Sequence, residues 1–361
     1  MKNPLRKRLF KEFKAEIGKY LVIFIFMAAT IGLISGFTVA SSSMKIAYDN
    51  SFEKYNVEWG HFTVGSELSD ELVADIEKDN DVTMIKDYYK NLVTTPEADG
   101  KSPDDDTRTM RIYRSRDVMN KICIMDGRLA ETDDEIALDR MYAVNNNIDI
   151  GDTITVAGKN FEVTGYTAFP DYSCLFEDNN DTMFDSVLFT VGITTESAYD
   201  KLDKSKEVYN YAWQYKKVPA DNKAEKKLSD DFLEDIIQKI YTSGNTIDLY
   251  IPRYQNRAIN FTGDDLGGDT VMMFTLLYIV MVIMAFVFAV TTNNTILKES
   301  TVIGTLRASG YKKSELLRHY MTLPVLVGLL ACIVGNVLGY TCMKKVGESA
   351  YYGSYSLTTY V

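Results

Sequence analysis

Histidine is almost missing from this 361-residue chain, which has two, His61 and His319. They lie far apart in sequence, so a histidine-based metal site or catalytic triad has little to build on. Four cysteines are too few for a disulfide framework. Cys123 and Cys174 could pair, while Cys332 and Cys342 sit inside an apolar run. The glycines and lysines of 304–314 do not make a phosphate loop, because five residues separate Gly304 from Gly310 and Tyr311 precedes Lys312. Asp178, Asp181 and Asp185 lack the glycine and bidentate glutamate of an EF-hand loop and read as a solvated acidic loop. No nucleophile, base and orienting group can be assembled, so no catalytic site, cofactor or metal is expected.

Charge is absent where it matters most. Residues 20–44, 270–297 and 319–343 contain no Asp, Glu, Lys or Arg, and each exceeds the ~20 apolar residues that span a hydrocarbon core. We read three transmembrane helices, 20–40, 271–293 and 320–343. A cleaved signal peptide is the alternative for the first, because Val39-Ala40-Ser41 follows it, but the run is longer than the usual ~7–15-residue apolar region. Residues 1–19 hold seven bases against Glu12 and Glu16, and the loop from Lys298 to Arg318 holds five against Glu299 and Glu315. Both belong in the cytoplasm by the positive-inside rule. Between Ser41 and Asp269 there are 45 acids against 25 bases, so the net charge of −11 hides an acidic domain, 41–270, expected outside the cytoplasm. Lys344 and Lys345 run against the rule and read as interfacial, snorkelling residues.

Leu5, Leu9, Phe13 and Ile17 recur every four residues among bases, which predicts an amphipathic cytoplasmic helix in 1–19, on the inner leaflet or simply flanking the span. Ala28, Gly32 and Gly36 in the first span, and Ala331, Gly335 and Gly339 in the third, form four-residue stripes of the kind that lets helix backbones touch in lipid. Pro324 is placed to kink the third span. The external domain reads as mixed α/β, so the fold class is membrane α-helical plus an α/β extracytoplasmic domain. Helices are expected over 66–79, with Ser69 as N-cap, and over 229–241. Strands are expected over 153–156, 161–166 and 187–191, the first two joined by a turn at 157–160, with an exposed loop over 96–107.

The segment from Glu299 to Gly310, with Ile303-Gly304, Leu306-Arg307-Ala308 and Gly310, is similar to the E-x-x-x-I-G-x-L-R-A-x-G signature of the FtsX/MacB-type permease family. Locally it reads as a short helix with Val302, Ile303 and Leu306 on one face beside Glu299 and Arg307, closed by a left-handed Gly310. A second resemblance runs through Asp126-Gly127-Arg128, Glu135-Ile136-Ala137-Leu138, Asn146-Asn147-Ile148, Ile150-Gly151-Asp152-Thr153 and Phe161 to Gly165, which is similar to the external pattern of that family. One departure stands out: members carry a fourth span, whereas residues 344–361 form a polar and aromatic external tail. The chain is then either a fragment of a longer permease, or its remaining helices come from another polypeptide.

The resemblance implies a multi-pass plasma-membrane permease subunit of an ABC transporter, in a bacterial cell. A separate cytoplasmic ATPase would dock on the coupling segment 294–319, through Glu299, Val302, Ile303, Gly304, Leu306, Arg307 and Gly310. A second permease unit and membrane lipid are the other expected partners, and nucleic acid is not one. The external domain would act on a lipid, lipoprotein, peptide or cell-wall partner. A non-transporting envelope sensor on the same scaffold, and a membrane-anchored binding protein, remain the alternatives.

Overall fold

The computed structural model describes residues 4–96, 108–114 and 116–359. Most of the loop expected over 96–107 lies outside them. Two units divide the chain, one from Met1–Met44 and Leu266–Tyr351, the other from Lys45–Asp265 and Tyr352–Tyr360.

The helical unit begins with α1 (Pro4–Ala15) and α2 (Ile17–Lys54). Three helical stretches are long and apolar enough to cross a membrane: Ile17–Lys54, Arg257–Lys298 and Lys313–Ser354. Val271, Tyr278, Val282 and Phe286 on the second are each more than 60% exposed, an outward apolar face that hydrocarbon accepts and water does not. Inward, Tyr20, Ile23, Met284, Leu323 and Val327 make the core, and Leu9 and Phe13 of α1 pack against it. Two residues of the stripe on α1 therefore cover protein.

The second unit is a mixed α/β sheet domain. Its helices are α3 (Asp70–Asn80), α4 (Arg140–Asn145), α5 (Glu196–Asp200) and α6 (Asn222–Thr242). Its strands are β1 (Gly60–Val64), β2 (Val82–Lys86), β3 (Tyr89–Pro96), β4 (Arg108–Tyr113), β5 (Cys123–Gly127), β6 (Glu135–Asp139), β7 (Thr153–Val156), β8 (Lys159–Ala168), β9 (Phe189–Ile193), β10 (Glu207–Tyr215) and β11 (Ile247–Pro252). Strands β11, β1, β10 and β2 pair in that order, all antiparallel. Strands β3, β4, β9, β6, β8 and β7 pair in sequence, and β7 returns to β3, which closes a small barrel, with β5 added as an edge strand on β8. The early residues of β10 also pair with β3, Glu207 opposite Lys90, and so stitch sheet to barrel.

Local signals explain these elements. Ser69 caps α3, its hydroxyl accepting from the Leu72 N–H at 3.3 Å, and Asp81 ends it in the left-handed conformation. Strand β7 turns into β8 through Ala157 and Gly158 alone, both at positive φ, with Val156 opposite Lys159; this is the two-residue turn that matches strand twist. The strand expected over 187–191 starts two residues later, at Phe189, because Asp185 holds the Val187 and Leu188 N–H groups in a turn. Gly127, at φ +68°, lies opposite Gly165, where a Cβ would meet the Arg128 backbone. That contact accounts for two glycines of the external pattern. Arg128 then clasps Glu135 with two hydrogen bonds of 2.7 and 2.8 Å.

Cys123 and Cys174 are buried free thiols. The last described residues are held in the second unit: the Arg140 Nη2 donates to the Tyr352 and Tyr355 carbonyls at 2.6 and 2.9 Å, Ser356 meets Asp139, and Leu357 is buried.

The core of the sheet end is aromatic, with Phe62, Tyr211, Trp213 and Phe232 all buried and Trp59 packed beside them. Phe232→Ala would open a cavity against Trp213, whose ring lies 4.9 Å away, and should cost about 3–5 kcal/mol. Urea titration followed by tryptophan fluorescence should show a lower midpoint with an unchanged slope.

Candidate functional site

Helix α7 (Arg257–Lys298) runs into α8 (Ser300–Ala308), and α9 (Lys313–Leu338) follows. Glu299 breaks the first pair, and Gly310, at φ +94°, breaks the second. The Gly310 and Tyr311 N–H groups return to the carbonyls of Arg307 and Leu306 at 3.1 and 3.2 Å, which closes α8 as a capped, separate helix.

Helix α8 has no buried residue. Ile303 and Leu306 are half-buried, while Val302, Gly304, Arg307 and Gly310 are exposed. Glu299 is placed differently from its neighbours. It accepts from the Arg8 guanidinium at 2.8 Å and from the Tyr320 hydroxyl at 2.6 Å, so α1, α8 and α9 meet on one carboxylate. Around it, Glu12 lies 3.0 Å from His319, and Lys19 reaches both Glu16 and the Thr295 hydroxyl. A small polar cavity remains between them, lined by Glu12, Glu16, Thr295, Glu299, His319 and Tyr320. Glu12 faces His319 and the Tyr320 hydroxyl donates to Glu299, contacts between separate helices that sequence spacing could not indicate.

The small-residue stripes are brought together. A Cβ on Gly32 would lie 3.1 Å from the Gly335 carbonyl oxygen, and one on Gly335 would lie 2.9 Å from that of Ala28. Gly36 and Gly339 likewise meet, since a Cβ on Gly36 would lie 2.9 Å from the Gly339 carbonyl oxygen. Ala28 and Ala331 are buried on the same seam. Beyond α9 the chain widens into a π turn over Gly339–Met343 and continues as α10 (Lys344–Ser354). A Cβ on Gly347 of α10 would lie 2.8 Å from the Ala40 methyl.

The second unit holds a buried ionic network that sequence reading missed, because its members come from separate elements. Arg116 bridges Asp87 at 2.9 Å and Asp171 at 2.6 Å, and all three are buried. Its guanidinium lies 3.5 Å from the centre of the Tyr113 ring. Glu58, also buried, takes His61 at 2.5 Å and the Asn120 amide at 2.7 Å. Burial pushes the Asp87 carboxyl up to about 7, Arg116 only partly opposing it. Asp139, buried elsewhere in the unit, is pushed up to about 6 by the same cause. His61 is raised by Glu58 despite its burial.

Residues 274–361, which hold α8, are the segment recognised by comparison. No curated protein matches the chain. Among solved structures it is similar to the extracellular domain of the noncanonic ABC-type transporter YknZ from Gram-positive bacteria, at 12% identity over 53% of this chain and 98% of that one, TM-score 0.31. It is also similar to the periplasmic region of MacB from Actinobacillus actinomycetemcomitans, at 14% identity over 49% and 82%, TM-score 0.29.

Two measurements test these sites. A carboxyl or imidazole that holds its proton more tightly folded than unfolded gives stability that is lost as pH rises through its folded value. Asp87, Asp139 and His61 all act in this direction. For the two carboxyls this loss should reach up to about 1.4 kcal/mol per pH unit each as pH rises from about 4 toward 7. Asp87→Asn should flatten the upper part of that decline in thermal melts. In the helical unit, Gly36→Val should force α2 from the seam and lower the yield of folded, monodisperse protein in detergent, whereas Gly328→Val, with only Met27 near it at 3.8 Å, should not.

Residues 274–361, which carry α8, match the family described as FtsX-like permease C-terminal.

Proposed function

We propose that this protein is the permease subunit of an ATP-driven assembly in which a separate cytoplasmic ATPase docks on α8 and movement of the membrane helices is passed to the sheet domain. The observation that carries this reading is α8 itself. It is a nine-residue helix with no buried side chain, set off by Glu299 and Gly310 between two membrane-length helices, and it lies within the FtsX-like match. An isolated helix this short is marginal in water, so its definition rests on the Gly310 turn and on the ties at Glu299.

The roles of its residues then divide. Val302, Ile303, Leu306 and Arg307 face outward or partly outward and supply the docking surface. Glu299 works inward: by holding Arg8 and Tyr320 it fixes the base of α8 against α1 and α9. Gly310 sets the turn and Gly304 keeps one face open, with nothing within 4 Å of a Cβ placed there. In this reading α8 lies in the cytoplasm with the N-terminus, and the sheet domain lies outside, where it meets a lipid, lipoprotein, peptide or cell-wall partner. A second permease unit completes the membrane portion.

Leu306→Asp with Arg307→Glu should abolish co-purification with the cognate ATPase while leaving the thermal melt of the chain unchanged. Wild-type recovery of the ATPase with the double variant would remove α8 as the docking helix.

A further inference from the structure

Where the four-stranded sheet meets the barrel lies a cavity of about 230 Å³ that the coupling role does not use. Its floor comes from β1, β10 and the β2–β3 link, through His61, Asn210 and Asp87; its far wall comes from β4 and the turn after β8, through Tyr113 and Asp171.

Five carboxylates line it, Glu58, Asp87, Asp171, Glu177 and Asp178, against Arg111 and His61 in the lining and Arg116 behind it. Most of these groups are occupied. Arg116 is taken by Asp87 Oδ2 and Asp171 Oδ1, and both Glu58 oxygens are taken by His61 and Asn120. Arg111 at the rim is held by Asn91, the Tyr172 hydroxyl and the Glu177 carbonyl, so it does not turn inward to balance the charge.

Two atoms are left over. Asp87 Oδ1 and Asn210 Oδ1 are buried with no hydrogen-bond partner among the described residues, though the two residues are 1% and 3% exposed. They are neighbours, the Asp87 N–H donating to the Asn210 carbonyl at 2.9 Å. Both orphans can accept, and a buried acceptor left unpaired is costly. What would pair them is a donor, and above pH 7, where Asp87 is ionised, the five carboxylates outnumber the three cations and favour one that carries positive charge. Among the described residues no three His, Cys, Asp or Glu side chains are grouped to hold a metal ion. An N–H donor meets both demands, with Tyr89 and Tyr113 supplying aromatic walls.

We propose that this cavity binds a primary ammonium group of a small organic amine, or of a lysine-like side chain, with the ammonium donating to Asp87 Oδ1 and Asn210 Oδ1. This site stands on the sheet domain alone and does not depend on the coupling role of α8.

The test is calorimetric titration of the full chain in detergent with 1,4-diaminobutane. Tetramethylammonium (charge without N–H), glutarate (opposite charge) and magnesium chloride serve as comparisons. Saturable binding of the diamine alone is expected. Binding should weaken by about tenfold or more in Asp87→Asn and in Asn210→Ser, as the loss of a charge-assisted hydrogen bond requires. Tryptophan fluorescence checks that each variant is folded; if Asp87→Asn is not, Asn210→Ser carries the comparison. Absence of diamine binding, equal binding of tetramethylammonium or magnesium, or wild-type affinity in a folded variant would overturn the assignment.

Discussion

The closeness of two helix backbones governs the membrane part of this protein. Along α2 and α9, glycine carbonyls stand where side chains would ordinarily intervene, and an added methyl at Gly36, Gly335 or Gly339 would sit within about 3 Å of backbone on the other helix. Lipid tails are as apolar as leucine, so burial of apolar surface gives little reason for helices to associate; dispersion contacts at short range do. With that seam set, Tyr20 and Ile23 on α2 and Leu323 and Val327 on α9 fall in one cluster, and α1 finds the surface on which Leu9 and Phe13 rest.

The two units answer the problem of burial differently. The helical unit gathers part of its charge at one end, where Arg8 bridges to Glu299 and Glu12 stands 3.0 Å from His319. The sheet domain instead carries a guanidinium fully inside, between two carboxylates and against an aromatic ring. Such a group is costly to desolvate and more costly to leave without one of its partners, so the strand ends and turns that supply Asp87, Arg116 and Asp171 are bound to one geometry.

Much of this was legible in the residues. Charge-free runs announced the spans, Ser69 announced a helix start, Ala157-Gly158 marked a turn, and the alternation of apolar residues across 161–166 marked a strand. What could not be read has physical reasons. Helices α2 and α7 continue well past their apolar runs, through Lys45, Asp49 and Lys54 and through Asp264, Asp265 and Asp269, because helical hydrogen bonding does not require apolar side chains. Residues 352–359 are polar and aromatic with no periodic pattern, yet Arg140 and Asp139 hold them, a partnership separated by more than 200 residues. The Asp87–Arg116–Asp171 network left no periodic trace for the same reason.

The π turn at Gly339–Met343 has a geometric consequence for the seam. Ala331, Gly335, Gly339, Met343 and Gly347 recur at intervals of four, whereas an α-helix closes a turn in about 3.6, so each step overshoots by about 40°. Left uncorrected, the row would wind away from its neighbour long before Gly347. A turn that absorbs one surplus residue winds the row back, which is how Gly347 still faces Ala40. The irregularity acts like a leap day, restoring the calendar of contacts between two helices whose periods do not agree.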